Sequence, residues 1–238
     1  MKSFLLIGQS NMAGRGDFGE VPEIVNKHCF MLRNGRWQPM GEPINPDRHI
    51  SGHYHSGVGL AASFADEYAK HFGENIGLIP CADGGTAIKE WQPGEVLYDN
   101  AVFQAKLAQR TSEIVGILWH QGENDSMNRD DVGLYRDRFM NMISSLIKDL
   151  NLPDNIPVII GELGEFLVDY ADGKLKYFNE INIVLKDLSK ELQCSGFVSA
   201  KGLTCKDDGV HFSSKSYREF GKRYFSVYLK TVENENFI

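Results

Sequence analysis

The sequence predicts an α/β protein: one domain built on an open parallel sheet of about five strands, with helices on both faces. Three observations lead there. Short apolar, β-branched runs recur at 3–8, 75–80, 113–120, 156–163 and 196–200. These runs are continuous rather than alternating, the pattern of parallel strands covered on both sides. Between them, apolar residues return at three- and four-residue steps, so strands and helices alternate and imply right-handed βαβ units.

Taken in order, "SFLLIG" (3–8) is the first strand and stops at a Gly-Gln-Ser-Asn cluster. The stretch 17–56 follows, rich in Gly, Pro, Asn and His. A connection that long inside a compact domain is usually functional or mobile. Within it, "GRWQPMGEP" (35–43) reads as a turn-linked β excursion whose Trp37 is structural. "GVGLAA" (57–62) opens a helix continued by Ala65, Tyr68 and Phe72. It matches a relaxed G-x-G-x-x-A fingerprint, but a dinucleotide site requires a preceding strand and here the polar "HISGHYHS" precedes it. "NIGLIP" (75–80) is the second strand, a weaker helix spans about 99–110, and "EIVGILWH" (113–120) is the third strand. A helix through Val132, Tyr135, Phe139, Met142 and Leu146 leads to "IPVIIGEL" (156–163). Leu175, Phe178, Ile181, Leu185, Leu188 and Leu192 mark the next helix, before "GFVSA" (196–200). Tyr217, Phe220, Tyr224 and Val227 mark the last. With no repeat, low-complexity tract or linker, residues 1–238 read as a single domain, long enough to bury a substantial core.

Composition narrows the partners. A formal net charge of −7 with no run of Lys and Arg argues against nucleic acid. The four cysteines form no C-x-x-C pair, which excludes a zinc ribbon and gives no disulfide framework. They read as buried, reduced thiols, with no support for a Cys29–Cys81 or Cys194–Cys205 bridge. "MKSFLLIGQS" holds only about five apolar residues, too few for a signal-peptide core, and nothing approaches the ~20 needed to span a membrane. The expectation is a cytoplasmic protein with no membrane partner. No G-x-x-x-x-G-K-[ST] motif marks a nucleotide triphosphate site.

In open parallel sheets the ligand sits beyond the carboxyl ends of the strands. Polar clusters follow every strand here: "GQSNMAGRG" (8–16), "CADGGTAIKEW" (81–91), "QGENDS" (121–126), "GELGEF" (161–166) and "KDDGVHFSS" (206–214). A Ser, a His and several carboxylates thus converge on one edge, and the chemistry that uses them is nucleophilic acyl transfer. Ser10 is a weak nucleophile until a base takes its proton, and His211 needs a carboxylate to fix its tautomer. Asp208-Gly209-Val210-His211 offers base and carboxylate in one turn. For the oxyanion, the candidate donors are the Ser10 N–H, a backbone N–H at Gly84 or Gly85, and the side-chain amide of Gln121.

The blocks "GQSNMAGRG", "GGTAIKEW", "HQGEND" and "DDGVHF" resemble those of the SGNH hydrolase superfamily. More closely, they resemble its sialic acid-specific acetylesterase and family 6 acetylxylan esterase branch. The resemblance runs from residue 4 to about 228. It implies a three-layer αβα, flavodoxin-like sandwich that hydrolyses O-acetyl groups on sugars without metal or organic cofactor. Ser10 would be the nucleophile, His211 the general base, and the Gly84–Gly85 and Gln121 blocks the oxyanion hole. One departure stands out: the superfamily's third block usually supplies an Asn donor, whereas Gln121 opens "QGEND". Asp208 is the expected acid, and Glu123 is its rival because related esterases use a glutamate from this block.

Around this site, Arg48, His53 and His55 lie on the long loop as candidate substrate contacts. His53 and His55 form an H-x-H pair without a third ligand, so no metal site is expected. Trp91 either stacks on a sugar or packs against a helix. The whole predicts a cofactor-free serine esterase that cleaves an acetyl ester of a small molecule or oligosaccharide through an acetyl-enzyme. The alternatives are a catalytically silent carbohydrate-binding domain and a short-chain esterase for non-sugar esters.

Overall fold

A strand that is apolar at every position needs cover on both faces, and the first strand shows how this chain supplies it. The computed structural model describes residues 1–46 and 55–235. In β1 (Lys2–Gly8), Phe4 and Leu6 enter one hydrophobic core while Leu5 and Ile7 enter a second on the opposite face. The first core is closed by α2 (Leu60–Phe72) and α6 (Ser214–Glu235), after the one-turn α1 (Ser10–Ala13). There Phe4 meets Phe64 edge to face at 4.8 Å. The second core is closed by α3 (Val96–Gln109), α4 (Arg129–Asp149) and α5 (Phe178–Glu191), where Trp91 and Trp119 meet at 5.8 Å. Helices therefore form the outer layers of a three-layer αβα sandwich.

Among the described residues the sheet has seven strands rather than about five. All five expected runs are strands: β1, β4 (Ile76–Pro80), β5 (Glu113–His120), β6 (Val158–Gly161) and β7 (Ser195–Val198). The two additions are β2 (Cys29–Arg33) and β3 (Arg36–Pro39), a hairpin turned by Asn34 and Gly35 at φ 52° and 71°. Asn-Gly accepts that left-handed pair at little cost and matches the twist of a hairpin. The strand order is β3-β2-β4-β1-β5-β6-β7, parallel throughout except for β3. β3 is the antiparallel edge strand, a position where Pro39 is tolerated. Cys29, Cys81 and Cys194 are buried and Cys205 is partly buried. Among the described residues no helix is long and apolar enough to cross a membrane.

From β1 the chain builds β2–β4 on one side and then crosses to β5 on the other. The crevice at this reversal opens where β1, β4 and β5 end. Gly8 makes the reversal sterically feasible: its φ is +136°, and a Cβ there would lie 2.1 Å from the His120 carbonyl oxygen. Gly8→Ala should accordingly lower the unfolding free energy by about 2 kcal/mol or more, as read from urea denaturation. A loss below about 0.5 kcal/mol would show that the strand ends do not need this close approach.

Candidate active site

The end of β1 is clamped from both sides. The Gln9 N–H donates to His120 O and the Asp83 N–H donates to Gly8 O, each at 2.9 Å. The chain then turns at once into α1, whose Met12 and Ala13 N–H groups bond Gln9 O at 2.9 and 3.0 Å. Ser10 is the first residue of that turn, with 6 % of its surface exposed. Its hydroxyl lies 2.9 Å from His211 Nε2 across a separation of 201 residues. On the other side of the ring, Nδ1 donates to Asp208 Oδ2 at 2.8 Å. That bond places the proton on Nδ1 and leaves Nε2 as the acceptor for the Ser10 hydroxyl. Asp208 Oδ1 in turn accepts the Val210 and His211 N–H groups at 3.0 and 2.9 Å, which fixes the carboxylate and the turn together.

Asn11 joins this turn to the rest of the site. Its amide donates to Glu123 Oε1 at 2.6 Å and to Val210 O at 3.1 Å. Its carbonyl accepts from the Phe212 N–H at 3.2 Å and the Tyr217 hydroxyl at 2.6 Å. Glu123 is buried beside Ser10 in the cavity lining, with His120 Nε2 3.5 Å from Oε1. Burial opposes its charge, but His120 and the Asn11 amide outweigh that and hold its carboxyl below the usual range. Its contacts are to Asn11 and His120, whereas the carboxylate bonded to His211 is that of Asp208.

Gln121 does not take the place expected of it. It is fully buried, and its amide nitrogen faces Thr86 O at 2.9 Å, Asp125 Oδ2 at 2.5 Å and Gln9 Oε1 at 3.2 Å. Two N–H groups facing three protein acceptors leave none for an oxyanion, and its carbonyl is taken by the Tyr135 hydroxyl at 2.9 Å. Gln121 instead braces the site: Asp125, which it bonds, also accepts the Ile88 N–H at 3.0 Å and ties the β4 and β5 loops together. Along with Gln9, the partly exposed Asn124 lines the cavity. Its signal was in the same "QGEND" block, two residues past the glycine whose φ of +145° redirects the chain.

Gly84 and Gly85 line the cavity as expected. A Cβ on Gly84 would stand 3.4 Å from Ser10 Cβ, so this backbone abuts Ser10. His55 is exposed at the edge of an adjoining cavity, while Arg48 and His53 fall outside the described residues. Trp91 is 1 % exposed, its indole N–H bonded to Thr86 Oγ1 at 3.1 Å, so it packs and meets no ligand. Residues without a sequence signal also line these cavities: Phe18, Met127, Tyr170 and Lys174. Among the described residues no group of three or more His, Cys, Asp or Glu side chains is arranged to hold a metal.

The cavity containing Ser10 has a volume of about 520 Å³, and a second of about 470 Å³ adjoins it at His211 and Tyr170. A shallower depression of about 730 Å³ lies at the opposite end of the sheet. Its one imidazole, His28, is bonded to Asn75 Oδ1 at 2.8 Å, so no nucleophile–base pair accompanies it.

The chain is similar to known proteins along nearly its whole length. Residues 1–230 match the model of the family described as carbohydrate esterase, sialic acid-specific acetylesterase. A probable carbohydrate esterase of Arabidopsis thaliana is 32 % identical over 245 residues, covering 95 % of this chain and 89 % of the relative. The crystal structure of an Arabidopsis protein superposes with a TM-score of 0.81 at 30 % identity, over 96 % of this chain and 98 % of that one. NanS superposes at 0.77 with 15 % identity over 98 % and 97 % of the two chains, which is a likeness of fold. So does a carbohydrate acetylesterase of Xanthomonas citri, at 0.68 and 18 %, over 98 % of this chain and 56 % of that one.

The carboxylates of the site differ sharply in environment. Burial raises Asp125 to about 6, against the opposing pull of Gln121 and the Ile88 N–H. Burial also opposes the charge of Asp208, but His211 and the backbone N–H groups of His211 and Val210 prevail and lower it to about 2. Native Asp125 therefore takes up its proton before the unfolded chain does, and it adds stability as pH falls from about 7 to 4. The contribution of Asp208 is complete above about pH 4 and is lost as pH falls through 2. Carboxyl-carbon NMR should find midpoints near 6 for Asp125 and near 2 for Asp208; coincident midpoints near 4 would contradict both assignments.

Proposed function

The chain belongs to the carbohydrate esterase, sialic acid-specific acetylesterase family, and from that premise we propose that it deacetylates sugars through a covalent acetyl-enzyme on Ser10. The observation that carries this reading is the unbroken relay from Ser10 Oγ to His211 Nε2 at 2.9 Å and from Nδ1 to Asp208 at 2.8 Å. Each residue is weak alone. In series they give a nucleophile, a base of fixed tautomer and a fixed charge that stabilises the imidazolium.

In the reaction, Ser10 Oγ attacks the acetyl carbonyl carbon as its proton passes to His211 Nε2. The carbonyl oxygen becomes an oxyanion facing the N–H groups of Ser10 and of Gly84 or Gly85, with the Asn124 amide in the role first given to Gln121. As the tetrahedral intermediate collapses, the C–O bond to the sugar breaks and the imidazolium returns its proton to the departing alkoxide. Water then attacks the acetyl-enzyme by the same route, releasing acetate and restoring Ser10. Asp208 stays ionised throughout, consistent with its strongly lowered pKa. No step requires a metal or organic cofactor. Glu123 supports the site by holding Asn11, which bonds the backbone on both sides of His211.

Acetate release from acetylated xylosides and sialates tests the assignment. Ser10→Ala should abolish turnover, and Asp208→Ala should cost about 10⁴-fold in kcat, by analogy with triads of this kind. Asn124→Ala should cost about 10²- to 10³-fold, the usual effect of removing one oxyanion donor. Glu123→Ala should cost far less than Asp208→Ala. A Ser10→Ala enzyme with wild-type rate, or the reverse ranking of the two carboxylates, would refute the mechanism.

A further inference from the structure

The two adjoining cavities share Arg15, Tyr170, Val210 and His211, but only the larger contains Ser10, Gly84, Gly85 and Asn124. That division has a chemical meaning, because the oxyanion and the leaving oxygen point in different directions from the acyl carbon. The leaving oxygen must lie beside His211 Nε2 to receive its proton. His211 is where the cavities meet, so from there the alcohol has direct access to the smaller one.

The smaller cavity suits a sugar ring. Phe18 lines it with 60 % of its surface exposed, and Tyr170 lines it half-buried. Tyr170 belongs to the 3₁₀ segment Glu165–Gly173, which is pinned by buried Leu167 and by Phe166 packed edge to face on Phe212 at 5.0 Å. Phe212 directly follows the catalytic histidine, so the ring of Tyr170 is referenced to the reacting atoms. Its edge lies 3.7 Å from where a Cβ of Gly209 would project, over the turn that carries Asp208 and His211. Polar groups complete the wall: Lys206 Nζ bonds Asp17 Oδ1 at 2.7 Å and Arg15 O at 3.0 Å. Apolar faces beside paired polar groups match a pyranose, whose ring C–H faces are apolar and whose edge carries hydroxyls.

We propose that the smaller cavity is the subsite for the sugar that departs as the alcohol, with Phe18 and Tyr170 as its stacking surfaces and determinants of specificity. This deepens the deacetylase reading and rests on it. It also moves the stacking role from Trp91, which is buried, to two aromatics on irregular segments.

The test compares kcat/KM for peracetylated methyl xyloside with that for ethyl acetate, whose leaving group is too small to reach either ring. Phe18→Ala and Tyr170→Ala should each lower the ratio of xyloside to ethyl acetate about tenfold, mainly through KM. Tyr170→Phe should restore most of the ratio, because the face is kept and only the hydroxyl is lost. Phe18 is exposed, so its variant probes the subsite with little risk to folding, and melting curves check both. An unchanged ratio in both alanine variants, with xyloside still cleaved, would overturn the subsite and leave the deacetylase reading intact. A wild type that cleaves ethyl acetate but releases nothing from acetylated sugars would overturn both.

Discussion

The site depends on one side chain that uses all of its hydrogen-bonding capacity. Asn11 is 1 % exposed and makes four bonds, two donated and two accepted. Its partners come from the loop after β5, the loop that carries His211, and α6. A buried amide with every partner in place is rigid, and losing any one partner leaves a costly orphan, about 1–3 kcal/mol. The residue after Ser10 thus fixes the distance from Ser10 Oγ to His211 Nε2. The sheet brings the two loops to the same crevice, and Asn11 sets them in register to within a bond length.

Three carboxylates beside this crevice have three fates, set by their surroundings. Asp208 lies at the surface end of the relay, bonded to a ring nitrogen and two backbone N–H groups, and keeps its charge. Glu123 is buried but offset by His120 and Asn11. Asp125 is buried with amide partners, and burial outweighs them and the pull of Arg138, so its charge is the hardest to hold. Residue type therefore does not say which carboxylate meets His211; contact does. The same distinction separates the amides, since Gln121 bonds within the protein and Asn124 lines the cavity.

Much of this was legible in the sequence because its physical cause is local. The five expected strands announced themselves as apolar runs, for a strand covered on both faces is apolar at most positions. Ser10, Asp208 and His211 were legible because few residue types can perform acyl transfer and each follows a strand. The β excursion expected at 35–43 covers β3 but not β2, because the short β2 sits in a polar stretch and its junction with β4 is a long-range pairing. Gln121 is the donor the sequence suggests and Asn124 is not, because the direction of each side chain turns on the positive φ of Gly122 between them. Trp91 was ambiguous for a similar reason: only the Thr86 hydroxyl, which captures its indole N–H, decides that it packs. Phe18 and Tyr170 sit on segments without periodicity, where an aromatic carries no sequence mark of what it faces.

The account comes down to whether Ser10 is activated by His211. A fluorophosphonate reacts only with serines whose hydroxyl is relieved of its proton, so peptide mapping after labelling addresses that activation without any assumption about the sugar. The account predicts label on Ser10 alone, formed at a rate that falls by orders of magnitude in His211→Ala. Labelling at another serine, or undiminished labelling of Ser10 without the histidine, would contradict it.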